Sequence, residues 1–202
     1  MLIGPKYKIC KRLGSSVFEK CQTQKYQLAE ARAPRTTRGK RGGSDYGAQL
    51  LEKQKARFTY GLSENQFARY ASEAIEKRGK DSVVALVSRL ESRLDNVVYR
   101  SGFVKTRRAA RQIVSHGHVQ VNGRRMNVPS YTVKVGETVS IRKESQGSAL
   151  FGNRAEATKE HRAPEWLQIS ADGFSALMKA PATISETELP FNAATIIQFY
   201  SR

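Results

Sequence analysis

The spacing of apolar positions changes along the chain, and each change marks a predicted element boundary. From Ser44 the pattern is helical to about Tyr60, with Ser44 or Asp45 placed to cap the start and Gly61 to end it. Ser63 and Gln66 fit a Ser-x-x-Gln capping box. Phe67, Tyr70, Ala71, Ala74 and Ile75 then recur at helical spacing until Lys77-Arg78-Gly79 closes the segment. That spacing makes the aromatics core residues. Ser82 opens a third predicted helix whose apolar face is Val83, Leu86, Val87, Leu90 and Leu94. The first half of the chain thus predicts a small helical domain.

Two shorter helices follow. Leu94, Val97 and Val98 make one apolar stripe, Gly102 breaks it, and Thr106 is placed to cap the next helix. In that helix Ala109, Ala110, Ile113 and Val114 face inward, which leaves Arg107, Arg108 and Arg111 to project outward. After His116-Gly117-His118 the period drops to two in Val119-Gln120-Val121, and Asn122-Gly123 marks a tight hairpin whose tip carries Arg124 and Arg125. A second strand pair is expected across Val133 to Ile141, with Gly136 near the bend. The mixture of Arg154, Glu156, Lys159, Glu160, Arg162 and Glu165 predicts an exposed helix. Pro190 to Tyr200, with Ile196, Ile197 and Phe199, is apolar enough to pack as a C-terminal helix.

The expected fold class is α+β. Residues 1–43 are read as a basic N-terminal arm, residues 44–91 with about 181–202 as a helical domain, and residues 92–180 as an inserted module. That module is two short helices on a small antiparallel sheet with a helical extension.

Charge sharpens this division. The 202 residues hold 35 Lys and Arg against 18 Asp and Glu, a formal charge of +17. Residues 1 to 45 hold 11 basic and 3 acidic side chains, and residues 93 to 145 again hold 11 and 3. The rest of the chain is nearly balanced. Two one-signed blocks favour a two-part contact with a polyanion, because a merely solubilising surface intersperses both signs. Pro34-Arg35-Thr36-Thr37-Arg38-Gly39-Lys40-Arg41-Gly42-Gly43 has no apolar periodicity and is expected to be an extended arm that orders on nucleic acid. Arg107, Arg108 and Arg111 suit phosphate, since guanidinium forks bind its oxygens bidentately.

A membrane surface is the competing polyanion. No stretch approaches the roughly 18 apolar residues of a spanning helix, and Met1-Leu2-Ile3-Gly4-Pro5-Lys6 lacks a signal-peptide core, so a cytoplasmic protein without membrane contact is expected. Cys10 and Cys21 are too few for a disulfide framework and are expected as reduced thiols. Neither they nor His116 and His118 have enough neighbouring ligands for zinc, so no metal and no cofactor is expected.

Arg93-Leu94-Asp95-Asn96-Val97-Val98-Tyr99-Arg100, Ala110-Arg111-Gln112-Ile113-Val114-Ser115-His116-Gly117 and Val121-Asn122-Gly123-Arg124 resemble the S-four RNA-binding fold. The flanks Gly4-Pro5-Lys6, Cys10-Lys11-Arg12-Leu13-Gly14, Ser44-Asp45-Tyr46-Gly47, Leu51-Glu52-Lys53-Gln54-Lys55, Tyr60-Gly61 and Gln198-Phe199-Tyr200-Ser201-Arg202 resemble the S-four family of small-subunit ribosomal proteins. The likeness is weakest at residues 22 to 43 and 146 to 190.

That resemblance implies a primary rRNA-binding protein that grips a multi-helix junction, nucleates assembly of the small-subunit body and lines the region where mRNA enters. It also implies that some members repress their own translation, and that the partners are 16S-type rRNA, mRNA and neighbouring ribosomal proteins, among them protein S-five. The C-terminal helix would return to the first helical domain. Members with zinc or an iron–sulfur cluster supply four N-terminal cysteines, of which only Cys10 has a clear match here.

Resemblance and charge together give the expected RNA contacts. In the arm these are Lys6, Lys8, Lys11, Arg12, Arg35, Arg38, Lys40 and Arg41; in the helical domain, Tyr46, Lys53, Lys55, Arg57 and Arg69. In the module they are Arg93, Arg100, Lys105, Thr106, Arg107, Arg108, Arg111, Ser115, His116, His118, Asn122, Arg124 and Arg125.

Three rivals compete with this reading. Arg93-Leu94-Asp95 matches a tripeptide of pseudouridine synthases, but here it lies in a helical apolar pattern with no catalytic domain behind it, and no nucleophile stands at a recognisable distance from a base. No enzyme is therefore expected. Two short helices with a basic second one also sign a DNA-binding helix-turn-helix, although the basic hairpin and arm that continue the pattern suit irregular RNA better. A free-standing RNA-binding factor is the third.

Overall fold

The structure, a computed structural model, describes residues 4–32, 44–76, 82–148, 150–151, 162–185 and 188–201. It divides into two compact units, residues 1–86 with 185–202, and residues 87–184.

The first unit is helical. α1 (Lys6–Leu13), a 3-10 turn at Glu19–Gln22 and α2 (Gln24–Arg32) form a small cluster. This is more structure than the arm expected over residues 1–43. Cys10, Phe18, Cys21 and Tyr26 are buried together with Phe58 against them, so an apolar set separated by more than one turn supplies a core that no single window reveals. Cys10 and Cys21 also correct an expectation: they are joined as a disulfide, not held as reduced thiols. Gly14, in a left-handed conformation at φ 62°, ends α1 and lets the chain fold back, which brings the two Cα atoms to 6.8 Å, within bridging range.

α3 (Asp45–Tyr60) starts at Ser44, whose hydroxyl oxygen accepts from Gly47 N, and ends at Gly61 with φ 63°. Ser63 accepts from Gln66 N at 3.4 Å at the start of α4 (Glu64–Glu76), and Phe67, Tyr70, Ala71 and Ala74 are buried as the pattern predicts. α5 (Ser82–Glu91) leads into the second unit. The final helix, here α9 (Ala193–Tyr200), packs on α3 and α4. Asn192 N donates to Glu52 Oε2 at 2.7 Å, Tyr200 Oη donates to Glu64 Oε1 at 3.1 Å, and Tyr60 meets Phe191 edge-on.

The second unit sets α6 (Leu94–Arg100) and α7 (Arg107–Ser115) against an antiparallel five-stranded sheet. Its strands are β1 (Val119–Val121), β2 (Arg124–Met126), β3 (Thr138–Ile141), β4 (Leu167–Ile169) and β5 (Ser175–Met178), in spatial order β2-β1-β3-β5-β4, with a short α8 (Lys143–Gln146) after β3. Thr106 caps α7, accepting from Ala109 N at 3.1 Å. Alternate residues Val119, Val121, Val139, Ile141, Ala176 and Met178 share one core with Leu94, Val97, Val98, Ala110, Ile113 and Val114. Each fully buried aliphatic of that set is worth roughly 1.5–3 kcal/mol over its exposed state.

The hairpin is as predicted. Asn122 and Gly123, at φ 49° and 77°, turn β1 into β2 with Val121 opposite Arg124. Two expectations are corrected. Residues 133–135 are not the partner of β3, which pairs instead with β1 and β5; Val133 N is bonded to Ser92 O, and Thr132 bridges Arg93, so that stretch is committed to the start of α6. The segment after residue 146 also supplies two strands to the sheet, where only a helix was expected; residues 152–161 of that expected helix lie outside the described residues.

Candidate nucleic-acid interface

The cations of the second unit fall into two groups. Arg93 is 1% exposed, and its Nε and Nη2 donate to Asp95 Oδ1 and Oδ2 at 3.0 and 2.6 Å. The expected RNA contact at Arg93 is therefore corrected to a buried ion pair, because the helix start turns the side chain into the unit. Arg100 is half-buried and holds Glu91, itself fully buried, at 2.9 and 3.2 Å. These two arginines neutralise the carboxylates of Asp95 and Glu91.

The second group faces outward. Lys105 and Arg108 are exposed beside the start of α7. Arg107 is half-buried: its Nε donates to Asn96 Oδ1 at 2.9 Å and its guanidinium lies 4.4 Å from the Tyr99 ring centre. Asn96 is oriented in turn by donating to Glu91, at 2.7 Å to Oε2. Arg111 lies 3.5 Å from Asp95 Oδ2. The Asn96 amide and the Asp95 carboxylate thus orient the guanidinium groups of Arg107 and Arg111, which lowers the entropy lost when their remaining N–H groups bind an anion.

At the other end of α7, Ser115 is exposed with its hydroxyl donating to Arg111 O, and His116 is exposed at the cap. Arg125 Nη2 donates to His116 O at 3.4 Å, and its guanidinium covers Gly117, whose missing Cβ leaves the space. A cation there also complements the carbonyl end of the helix. Arg124 is exposed at the hairpin tip. Asn122 serves the turn, accepting from Thr138 N at 2.9 Å, and His118 Nδ1 lies 3.0 Å from Ser145 Oγ. The structure therefore places Arg107, Arg108 and Arg111 on α7, and Arg125 of the hairpin reaches the C-terminal end of the same helix, with the exposed Arg124 next to it in sequence.

In the first unit, Lys8, Lys11 and Arg12 are exposed on α1, while the Lys6 ammonium sits 5.6 Å from the Phe18 ring centre. Tyr46 is exposed and touches Phe199 at 5.5 Å between centroids. Lys53 is only 7% exposed, bound to the partly exposed Glu64 at 2.6 Å and lying over Phe199, so its expected RNA contact is corrected to an intramolecular ion pair. Lys55 pairs with Glu52, Arg57 with Glu64 and Arg69 with Glu73. Burial tends to raise the pKa of Glu64, but Lys53, Arg57 and the Tyr200 hydroxyl together hold it below the ordinary carboxylate range. Arg35, Arg38, Lys40 and Arg41 lie outside the described residues.

Asn96 and Tyr99 escaped the sequence-derived set because their signal is spacing, not charge: one helical turn places both beneath Arg107. Arg142 was also missed; its Nη1 lies 3.5 Å from Gly117 O. Among the described residues there is no group of three or more His, Cys, Asp or Glu able to hold a metal, and no helix long and apolar enough to cross a membrane.

A short helix, a basic second helix and a basic antiparallel hairpin follow one another in this unit. Residues 92–139 match the S4 domain family, and residues 1–91 match the family described as ribosomal protein S4/S9 N-terminal domain. The chain is 46% identical over 206 residues to small ribosomal subunit protein uS4 of Roseiflexus castenholzii, covering 99% of this chain and 98% of that protein. It is 42% identical to the uS4 protein of Chloroflexus aurantiacus and 39% identical to that of Thermus thermophilus, with 99% of this chain and 98% of the relative covered in both. The chain belongs to the uS4 family of small ribosomal subunit proteins, a structural and not an enzymatic family.

Proposed function

We propose that this protein is a primary rRNA-binding constituent of the small ribosomal subunit, in the cytoplasm. It grips 16S-type rRNA through α7 and the β1–β2 hairpin together with the basic N-terminal segment. The observation that carries the reading is the cluster of Arg107, Arg108, Arg111, Arg124 and Arg125 on one helix and its adjoining hairpin, built on a neutralised interior in which Asp95 and Glu91 are already paired. By family resemblance the protein nucleates assembly of the subunit body, lines the region where mRNA enters and contacts neighbouring proteins such as protein S-five; some members of the family also repress translation of their own message.

The test is equilibrium binding to small-subunit rRNA across a range of salt, with duplex DNA as competitor. Replacing Arg107, Arg108 and Arg111 by Ala should weaken binding and reduce the slope of log affinity against log salt by about 2–3, roughly one counterion per lost phosphate contact. An unchanged slope would remove α7 from the interface. Equal affinity for duplex DNA would return the helix-turn-helix reading to first place.

A further inference from the structure

α1 carries a second kind of binding chemistry. Tyr7, Lys8, Lys11 and Arg12 fall within an arc of about 140° at 100° per residue, while Cys10 and Leu13 point to the buried side. The sequence of α1, KYKICKRL, contains no carboxylate. Tyr7 is 46% exposed, yet its ring is held in place: it stacks on Tyr26 of α2 with centroids 5.2 Å apart and planes 14° from parallel. Tyr26 is buried in the Cys10, Phe18 and Cys21 cluster. One face of the Tyr7 ring therefore rests on a fixed support, and its exposure belongs to the other face and the edge. Lys25, exposed on α2, adds a further cation near this pair in sequence.

An exposed aromatic face rimmed by cations matches an unpaired nucleotide. The base supplies an apolar π face that stacks on tyrosine irrespective of its identity, and its flanking phosphates supply the negative charge. Duplex nucleic acid does not fit, because its base faces are already stacked on one another. A protein partner for an apolar ring would gain nothing from a rim of one sign, whereas a polyanion does.

We propose that Tyr7, braced by Tyr26, is a stacking platform for one unpaired base of the RNA, with Lys8, Lys11 and Arg12 neutralising the adjacent phosphates. This rests on the rRNA-binding reading above and names the nucleotide state that the N-terminal cluster selects. Because the ring is already fixed, little rotamer freedom is lost on binding.

The test uses the full-length protein and its Tyr7→Phe, Tyr7→Leu and Tyr7→Ala variants, titrated with small-subunit rRNA over a range of salt. Tyr7→Phe should bind as the wild type does. Tyr7→Leu, which still covers Tyr26 with an apolar side chain, should bind about tenfold more weakly, as should Tyr7→Ala, with the salt slope unchanged in both since no phosphate contact is lost. Replacing Lys8, Lys11 and Arg12 by Ala should flatten the slope instead. Wild-type affinity in Tyr7→Leu would overturn the platform and reduce Tyr7 to a cover for Tyr26, even if Tyr7→Ala had lost structure. Wild-type protein that fails to bind the rRNA would overturn both readings, which separates the two failures.

Discussion

Replacing Asp95 by Ala removes the carboxylate that neutralises Arg93 inside the second unit. Arg93 is 1% exposed and makes two charge-assisted hydrogen bonds to Asp95, at 3.0 and 2.6 Å, so the variant leaves a buried guanidinium without its carboxylate fork. Removing one member of such a buried pair costs roughly 3–5 kcal/mol. The Arg111 contact at 3.5 Å, with that side chain 41% exposed, adds under about 1 kcal/mol. Against a domain stability of about 5–15 kcal/mol this is a large fraction. Urea denaturation followed by fluorescence of Trp166 reads the effect, because Trp166 is the chain's single tryptophan and lies 3% exposed within the second unit. With a slope of about 2 kcal/mol per molar urea, the midpoint should fall by about 1.5–2.5 M. The paired change of Arg93 to Met with Asp95 to Leu should recover much of the loss, since it buries no lone charge. A midpoint for Asp95→Ala within about 0.3 M of wild type would refute the assignment of Arg93 to the interior, and with it the division of the arginines into structural and exposed groups.

Two further outcomes follow from the caps and the ion pairs. Thr106→Ala should lower the Trp166-reported stability by about 1 kcal/mol, the usual cost of an N-cap hydroxyl, and a change too small to measure would show that α7 is held by packing alone. Glu64 has its pKa lowered on folding, so its contribution is present above the unfolded value of about 4.3 and is lost as pH falls through the lower folded value. Thermal melts of the full chain from about pH 6 to about pH 3 should therefore show a smaller acid-induced drop in Glu64→Gln than in wild type, and identical drops would mean that the Lys53 and Arg57 pairs contribute nothing.

What the sequence made legible is what depends on neighbours in sequence. The Ser44 and Thr106 caps, the Gly61 stop, the inward face of α7 at Ala110, Ile113 and Val114 and the Asn122-Gly123 turn each follow from residues within one or two helical turns and are in place, while Ala109, expected on that face, is only half-buried. What was misread depends on distant partners. The alternation through Val133 to Ile141 is compatible with a local hairpin, but Ser92 and Arg93 claim residues 132 and 133 from the far side of the unit. The β4–β5 hairpin had a local signal in Asp172-Gly173, with Gly173 at φ 69°, yet its strands of three and four residues are too short for alternation to stand out. The burial of Arg93 and Lys53 could not be read at all, because a charged side chain carries the same label whether it meets water or a carboxylate.

The packing of α9 on α3 and α4 has a consequence for the order in which the protein is made. The second unit is one continuous stretch, finished at Ile184, whereas the first unit is closed by contacts that span 136 and 140 residues. At roughly 5–20 residues per second, Glu52 and Glu64 wait about 7–30 s for Asn192 and Tyr200 to emerge from the translating ribosome. Throughout that interval the faces of Tyr60 and Phe67 that Phe191 and Tyr200 later cover lack those partners. The helical unit is therefore the later of the two to receive its closing contacts, because Asn192 and Tyr200 are made after Ile184, the last residue of the unit bearing α7 and its hairpin.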